Sequence, residues 1–331
     1  MDLSTTYLGL KLPHPMVAGA SPLSDEIDSV RRLEDAGSAA IILRSLFEEQ
    51  IVREQMADLL HQDGASESSA EATTYFPNPD LFVLGPEEYL NHLRRVKEAV
   101  RIPVIASLNG CTPGGWLSYG RQMEQGGADA LELNVYHAAL DPNKSGAEVE
   151  CETVAMVRAV KSSVKIPVAV KLSPFFASFA HFALQLDREG ADGLVLFNRF
   201  YETDIDAKEL SLTRALHLSD SSELLLRLRG IAALAPLVNG SLAVTGGVHT
   251  ALDVVKSIMA GAHVTQMVSA LLMYGPNYLR KVREELEQWM EENEWDSLGR
   301  MRGNMAVDKA PNAKAYERGN YMMMLQSWEG A

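Results

Sequence analysis

Short apolar runs alternate with longer amphipathic stretches along most of the chain. The apolar runs are Pro15 to Ala20, Ala39 to Leu43, Val104 to Leu108, Ala130 to Leu133, Val168 to Leu172, Gly193 to Phe197, Ser241 to Val244 and Val264 to Met267. Runs that are nearly continuous, rather than strictly alternating, predict strands of a parallel sheet covered on both faces. Between them, apolar residues recur at helical spacing over Asp25 to Ala36, Pro86 to Val100, 115–126, 149–163, 176–189, 221–235 and 250–260. Eight such units predict closure into a (β/α)8 TIM barrel, an α/β fold, in preference to a doubly wound open sheet. No G-x-G-x-x-G follows the first strand, which also counts against a dinucleotide-binding open sheet.

A repeated phrase supports this reading. Ile102-Pro103-Val104 returns 64 residues later as Ile166-Pro167-Val168, and each runs on to Gly-Ala-Asp, at Gly127-Ala128-Asp129 and Gly190-Ala191-Asp192. Each then closes a short apolar run on an asparagine, Asn134 and Asn198. Repeated strand–helix units of this kind gather their strand ends at one mouth, where the chemistry of such barrels is placed.

Two segments stand outside the pattern. A long polar stretch from Glu48 to Pro79 predicts a long loop after the second strand. Beyond the eighth strand, Pro276 to about Asn293 reads as a helix with Leu279, Val282, Leu286, Trp289 and Met290 along the face that packs on the barrel. Residues 1–303 are expected to form the barrel domain and 304–331 a C-terminal helical extension. Tyr321 to Leu325, with Trp328, are too apolar for a free tail and are expected to dock on the barrel or on a second subunit.

Composition narrows the function. A net charge of −14 disfavours nucleic-acid partners, whose phosphates such a surface repels. No apolar run reaches the roughly 18 residues of a membrane helix, and the acidic start Met1-Asp2-Leu3-Ser4 does not read as a secretory signal, so a cytoplasmic protein is expected. The two cysteines, Cys111 and Cys151, are too far apart to build an iron–sulfur or zinc site by themselves and are expected to be reduced thiols. No metal site is expected.

Lys171 ends a strand expected to be buried on both sides, where an unpaired charge is costly. It is either a lysine reaching for solvent or a functional group: a Schiff-base nucleophile, or a cation facing an electron-rich cofactor. Thr245-Gly246-Gly247 ends the seventh strand before a helix opening at Thr250-Ala251, and Ser269-Ala270 follows the eighth. The loops after these two strands are the usual phosphate site of this barrel, and glycines let backbone N–H groups approach the anion. A plain tight turn is the alternative. Asn134, Asn198 and Asn109 end strands and offer a donor and an acceptor each, suited to planar rings or else to capping.

In order and spacing, Ala18-Gly19-Ala20-Ser21, Glu132-Leu133-Asn134, Val170-Lys171-Leu172-Ser173-Pro174, Asn198, Thr245-Gly246-Gly247, Gly261-Ala262, Gln266-Met267 and Gly275-Pro276 resemble the dihydroorotate dehydrogenase family, over roughly residues 3–303. The resemblance implies an FMN-binding barrel that passes hydride between a C–C bond beside a carbonyl and FMN, commonly as a cytoplasmic homodimer of pyrimidine biosynthesis. It implies Lys171 beside the flavin, stabilising its reduced anion. Gly246, Gly247, Ser269 and Ala270 would hold the phosphate, and Ala20, Ser21, Arg44 and Asn109 would complete the cofactor site. Asn134, Asn198 and Arg199 would meet ring and substrate.

Where the family carries its catalytic base, this chain reads Asn134-Val135-Tyr136-His137, making His137 the candidate base with Tyr136 beside it. Imidazole, with an ordinary pKa of about 6.5, suits that task near neutral pH. Arg44 stands where the family has lysine, and Asn198-Arg199 where it pairs asparagine with serine or threonine. The asparagine-rich substrate loop has no counterpart between Phe76 and Tyr89, so dihydroorotate and a related C=C substrate both stand as candidates. Three other functions fit the same residues: an accessory flavoprotein with a redox partner protein, a flavin-free Schiff-base enzyme using Lys171, and, against the acidic charge, a tRNA-reducing flavoenzyme.

Overall fold

The computed structural model describes residues 1–48, 50, 85–110, 113–135, 140–199, 204–213, 216–316 and 320–327. Eight parallel strands close on themselves: β1 (Met16–Ala18), β2 (Ile41–Ile42), β3 (Val104–Gly110), β4 (Ala130–Val135), β5 (Val168–Leu172), β6 (Gly193–Leu196), β7 (Ser241–Thr245) and β8 (Val264–Met267). The ring closes where β8 pairs with β1, Gln266 opposite Val17. Helices α1 (Ile27–Asp35), α2 (Pro86–Ala99), α3 (Pro113–Gln125), α4 (Gly146–Ser163), α5 (Phe179–Arg188), α6 (Leu224–Leu234), α7 (Ala251–Ala260) and α8 (Tyr278–Glu292) follow the strands in turn. The predicted (β/α)8 barrel is therefore the observed one.

The repeated Gly-Ala-Asp phrase now has a physical meaning. Gly127 and Gly190 take positive φ, 92° and 94°, where they end α3 and α5. Glycine adopts this conformation without a Cβ clash. The aspartate that follows returns to the preceding strand. Asp129 accepts from the Val104 N–H at 2.7 Å and Asp192 from the Val168 N–H at 2.7 Å. Each also pairs with a lysine of a neighbouring helix, Lys97 and Lys161. Gly261-Ala262-His263 repeats the device with an imidazole, Nδ1 of His263 accepting from the Leu242 N–H at 2.9 Å.

An antiparallel hairpin, Thr5–Tyr7 against Leu10–Leu12, plugs the N-terminal end of the barrel. Tyr7, Leu8 and Leu12 pack among Val17, Ile42, Ala130, Ala169, Ala243 and Val264, the lowest inward side chains of their strands. Small residues there make the room: a Cβ on Gly193 would lie 2.7 Å from Leu8 Cδ2. The hairpin is not predicted by the hydrophobic pattern. Its two-residue turn sets Leu8 at φ 52°, a conformation leucine rarely adopts, and burial of the Leu8 side chain offsets the strain.

Other differences are local. The helix expected over 221–235 begins with a 3-10 turn, Ser221–Glu223, before α6. A second hairpin, Asp204–Asp206 with Ser211–Thr213, follows β6, and a short helix, Ser269–Tyr274, precedes α8. The stripe of α8 is buried as expected, Leu279, Val282, Leu286 and Met290 all being fully enclosed, with Trp289 half-buried against the core. In the terminal helix, Asn320–Gln326, Tyr321, Met322, Met323, Met324 and Leu325 are all exposed. Trp328 and most of the 48–79 stretch lie outside the described residues. No described helix is long and apolar enough to cross a membrane.

Candidate active site

Inward side chains alternate along each strand and stack in layers from the plugged base to the open mouth. Above the apolar base lies a polar layer. Ser107 on β3, Glu132 on β4, Lys171 on β5 and Gln266 on β8 are all buried. Lys171 is buried, with its side chain only 10% exposed, and its Nζ lies 3.6 Å from Glu132 Oε1. The other Glu132 oxygen accepts from Gln266 Nε2 at 2.6 Å. Glu132 Oε1, Gln266 Oε1 and the Tyr7 hydroxyl, all buried, have no hydrogen-bond partner among the described residues. Burial, and then the Glu132 charge, push the Tyr7 phenol well above its ordinary pKa. Tyr89, on α2, is raised for the same first reason and donates to the Ser107 carbonyl at 3.3 Å.

The mouth layer holds the strand-end asparagines. Asn109, Asn134 and Lys171 are direct neighbours in the sheet register of β3, β4 and β5. Asn198 Nδ2 donates to Asn134 Oδ1 at 2.6 Å, so the two face each other across the end of β5 rather than cap helices. Asn198 is fixed by its own N–H, which donates to the Leu172 carbonyl at 2.7 Å.

The turn after β7 is built for glycine. Gly246 and Gly247 have φ of 85° and 77°, and a Cβ on Gly247 would sit 2.4 Å from the Leu224 nitrogen. Donors converge here. The Gly247 N–H points at Ser219 Oγ at 3.4 Å, and the Ser219 hydroxyl also meets Ser269 Oγ at 2.9 Å and His249 Nε2 at 3.3 Å. Ala270 is buried beside Ser269. The start of α7 is not free to join them, because Asp253 Oδ2 already accepts from the His249 and Thr250 N–H groups and from Thr250 Oγ1. Beneath the turn, the buried Arg227 donates from Nε to the Thr245 carbonyl at 3.1 Å.

The remaining predicted residues lie on the rim. Ser21 is buried, Ala20 packs on the inner cluster, and Arg44 follows β2, paired with Asp25. Arg199 is turned towards the glycine turn and away from the asparagine pair: its NH2 lies 3.0 Å from Glu223, and NH1 donates to the His217 carbonyl. Tyr136 and His137 lie outside the described residues. Sequence reading passed over Glu132, Gln266, Ser219 and His249 as site residues. A charge within an apolar strand, the signal that picks out Lys171, is equally present at Glu132. Ser219 lies in irregular chain with no periodicity to mark it.

A single opening thus carries a buried cation, paired amides and a cluster of donors. The donor cluster fits a phosphate monoester: hydroxyls, an amide N–H and an imidazole, beside a turn that a side chain would block. The model of the family described as "Dihydroorotate dehydrogenase" matches residues 81–290. The catalytic subunit of dihydroorotate dehydrogenase B (NAD(+)) from Thermoplasma volcanium is 26% identical over 315 residues, covering 91% of this chain and 98% of that one. The NAD-dependent dihydropyrimidine dehydrogenase subunit PreA of Escherichia coli is 25% identical over 320 residues, covering 91% of this chain and 76% of that one. A putative dihydroorotate dehydrogenase A (fumarate) of Aeropyrum pernix is 27% identical over 299 residues, covering 87% and 92%. The chain belongs to the dihydroorotate dehydrogenase family and is an oxidoreductase of that family.

Proposed function

We propose that the chain is an FMN-dependent oxidoreductase acting on a C–C bond next to a carbonyl, with dihydroorotate or a related dihydropyrimidine as substrate class. The observation that carries this reading is the buried Lys171, in register with Asn134 of the asparagine pair and in the same opening as the glycine turn. Bound FMN would supply a hydride acceptor. Gly246, Gly247, Ser219, Ser269, Ala270 and His249 would hold its phosphate, and Ala20, Ser21, Arg44 and Asn109 would line the flavin site. Lys171 would place positive charge where negative charge develops on the ring. Asn134 and Asn198 would orient the substrate carbonyl and N–H edges, while Arg199, paired with Glu223, stands on the side of the glycine turn. His137, beside Tyr136 and just past the end of β4, would take the proton adjacent to the departing hydride.

Glu132 bears on the Schiff-base alternative. Lys171 stands in a buried ion pair with Glu132, a poor setting for an imine-forming nucleophile. The names of the relatives from Thermoplasma volcanium and Escherichia coli include "catalytic subunit" and "subunit". We extend that to a redox partner protein for this chain. We assign the exposed apolar face of Asn320–Gln326 to a second copy in a homodimer. A cytoplasmic setting is consistent with Cys151, an exposed free thiol.

The test is purification of the chain, identification of any released flavin, and anaerobic addition of dihydroorotate, dihydrouracil and dihydrothymine in separate trials. Bleaching of bound FMN by one of them supports the reading. Colourless protein that does not take up added FMN sinks it.

A further inference from the structure

We infer that Glu132 is a positioning residue of this site: its carboxylate holds the Lys171 ammonium in place and limits how much positive charge a bound ring meets. This rests on the flavin reading above, while its geometry stands independently.

The carboxylate is held in place from below. One oxygen is fixed by Gln266 at 2.6 Å, and the residue is 1% exposed. The other oxygen lies 3.6 Å from Lys171 Nζ and has no hydrogen bond of its own, so its charge is directed at the lysine. Among the described residues, the other groups facing this carboxylate from neighbouring elements carry no compensating charge. Ser107 on β3 and Gln266 on β8 are neutral, and Tyr7 and Tyr89 keep their protons because burial and the Glu132 charge both oppose ionisation. At the rim, Arg44 is committed to Asp25. Lys171 is thus the cation that answers Glu132 inside the barrel, and a buried pair this isolated loses heavily if either member is removed.

The arrangement has an electrostatic consequence. An isolated ammonium acts on a nearby ring as a full positive charge. An ammonium backed by a carboxylate acts as a dipole, whose field falls off faster. Glu132 therefore does two things: it anchors the Lys171 ammonium, and it masks part of that group's charge.

Glu132→Gln keeps the shape and the bond to Gln266 while removing the charge, and Glu132→Asp keeps the charge but withdraws it from Lys171. The first measurement is acylation of Lys171 by acetic anhydride at constant mildly alkaline pH, read by peptide mass spectrometry against the exposed Lys256. The expected result is acylation at least about tenfold faster in the Gln variant than in the parent, with the Asp variant between them. The second is the midpoint potential of the bound flavin. It should be more positive than the parent's in the Gln variant, where the ammonium is no longer masked. Unchanged acylation in both variants, or a potential in the Gln variant that is unchanged or more negative, overturns the inference. Protein that retains no flavin defeats the proposed function instead, and acylation then decides the role of Glu132 alone.

Discussion

Asn134 and Asn198 stand 64 residues apart in the chain and meet through one hydrogen bond of 2.6 Å. The interval is that of the repeated Ile-Pro-Val phrase. Two copies of the same strand–helix plan bring the same residue type to the same height on β4 and β6. These strands flank β5, and alternate strands contribute to a common layer in this fold. The pair therefore frames the end of the strand that carries Lys171.

Asn198→Asp replaces the donor of this bond with an acceptor, leaving two oxygens opposed. The expected cost is about 1–3 kcal/mol of stability, measured by urea denaturation. If the pair also reads the substrate, kcat/KM should fall by about tenfold or more with the best dihydropyrimidine found.

Lys171→Met strands the buried Glu132 charge. The expected destabilisation is about 3–5 kcal/mol. The double variant Lys171→Met/Glu132→Gln should recover most of it, because nothing charged is left behind. A double-mutant cycle in denaturant measures the coupling; strict additivity would contradict the pairing.

At the glycine turn, Gly247→Ala forces a Cβ into the Leu224 backbone at 2.4 Å and strains a residue at φ 77°. FMN affinity should fall by at least about a hundredfold, since the turn must move. Ser219→Ala removes one hydroxyl donor and should cost about tenfold. Quenching of FMN fluorescence on titration with protein reads both.

The chain should lose stability in mild acid. Burial depresses His14 and His263 to about 4, helped at His14 by Arg283 and at His263 by Arg302. Both serve as neutral acceptors, for the Met16 N–H at 3.3 Å and the Leu242 N–H at 2.9 Å. An unfolded histidine takes up its proton near pH 6.5, so between there and about pH 4 the unfolded chain binds more protons. The stabilisation is complete above that window, is lost as pH falls through it, and changes no further below it. The upper bound is roughly 3 kcal/mol for each histidine. Urea denaturation across the window measures the slope, and His263→Asn, which keeps an acceptor without a titration, should make it shallower.

The strands were legible because burial on both faces demands unbroken apolar runs; Val168–Leu172 and Val264–Met267 come out with the predicted bounds. Lys171 was legible as a charge interrupting such a run. The hairpin of Thr5–Tyr7 and Leu10–Leu12 was not, since three-residue strands are too short for a period to register and Leu8 is an improbable turn residue. The partnership of Glu132 with Lys171 and Gln266 was out of reach for another reason. Gln266 lies 134 residues from Glu132, and only closure of the ring brings them together. The tail was half legible: its apolar character predicts a contact, which Val307 and Tyr316 make with the core, but not that Tyr321 to Leu325 stand exposed.

The hairpin that stoppers the base of the barrel also constrains traffic. With Tyr7 and Leu8 filling that end, a reducing substrate and any small-molecule oxidant share one doorway and use it by turns. Their steady-state kinetics should follow a two-stroke pattern, with parallel double-reciprocal lines and each reactant inhibiting by occupying the other's place.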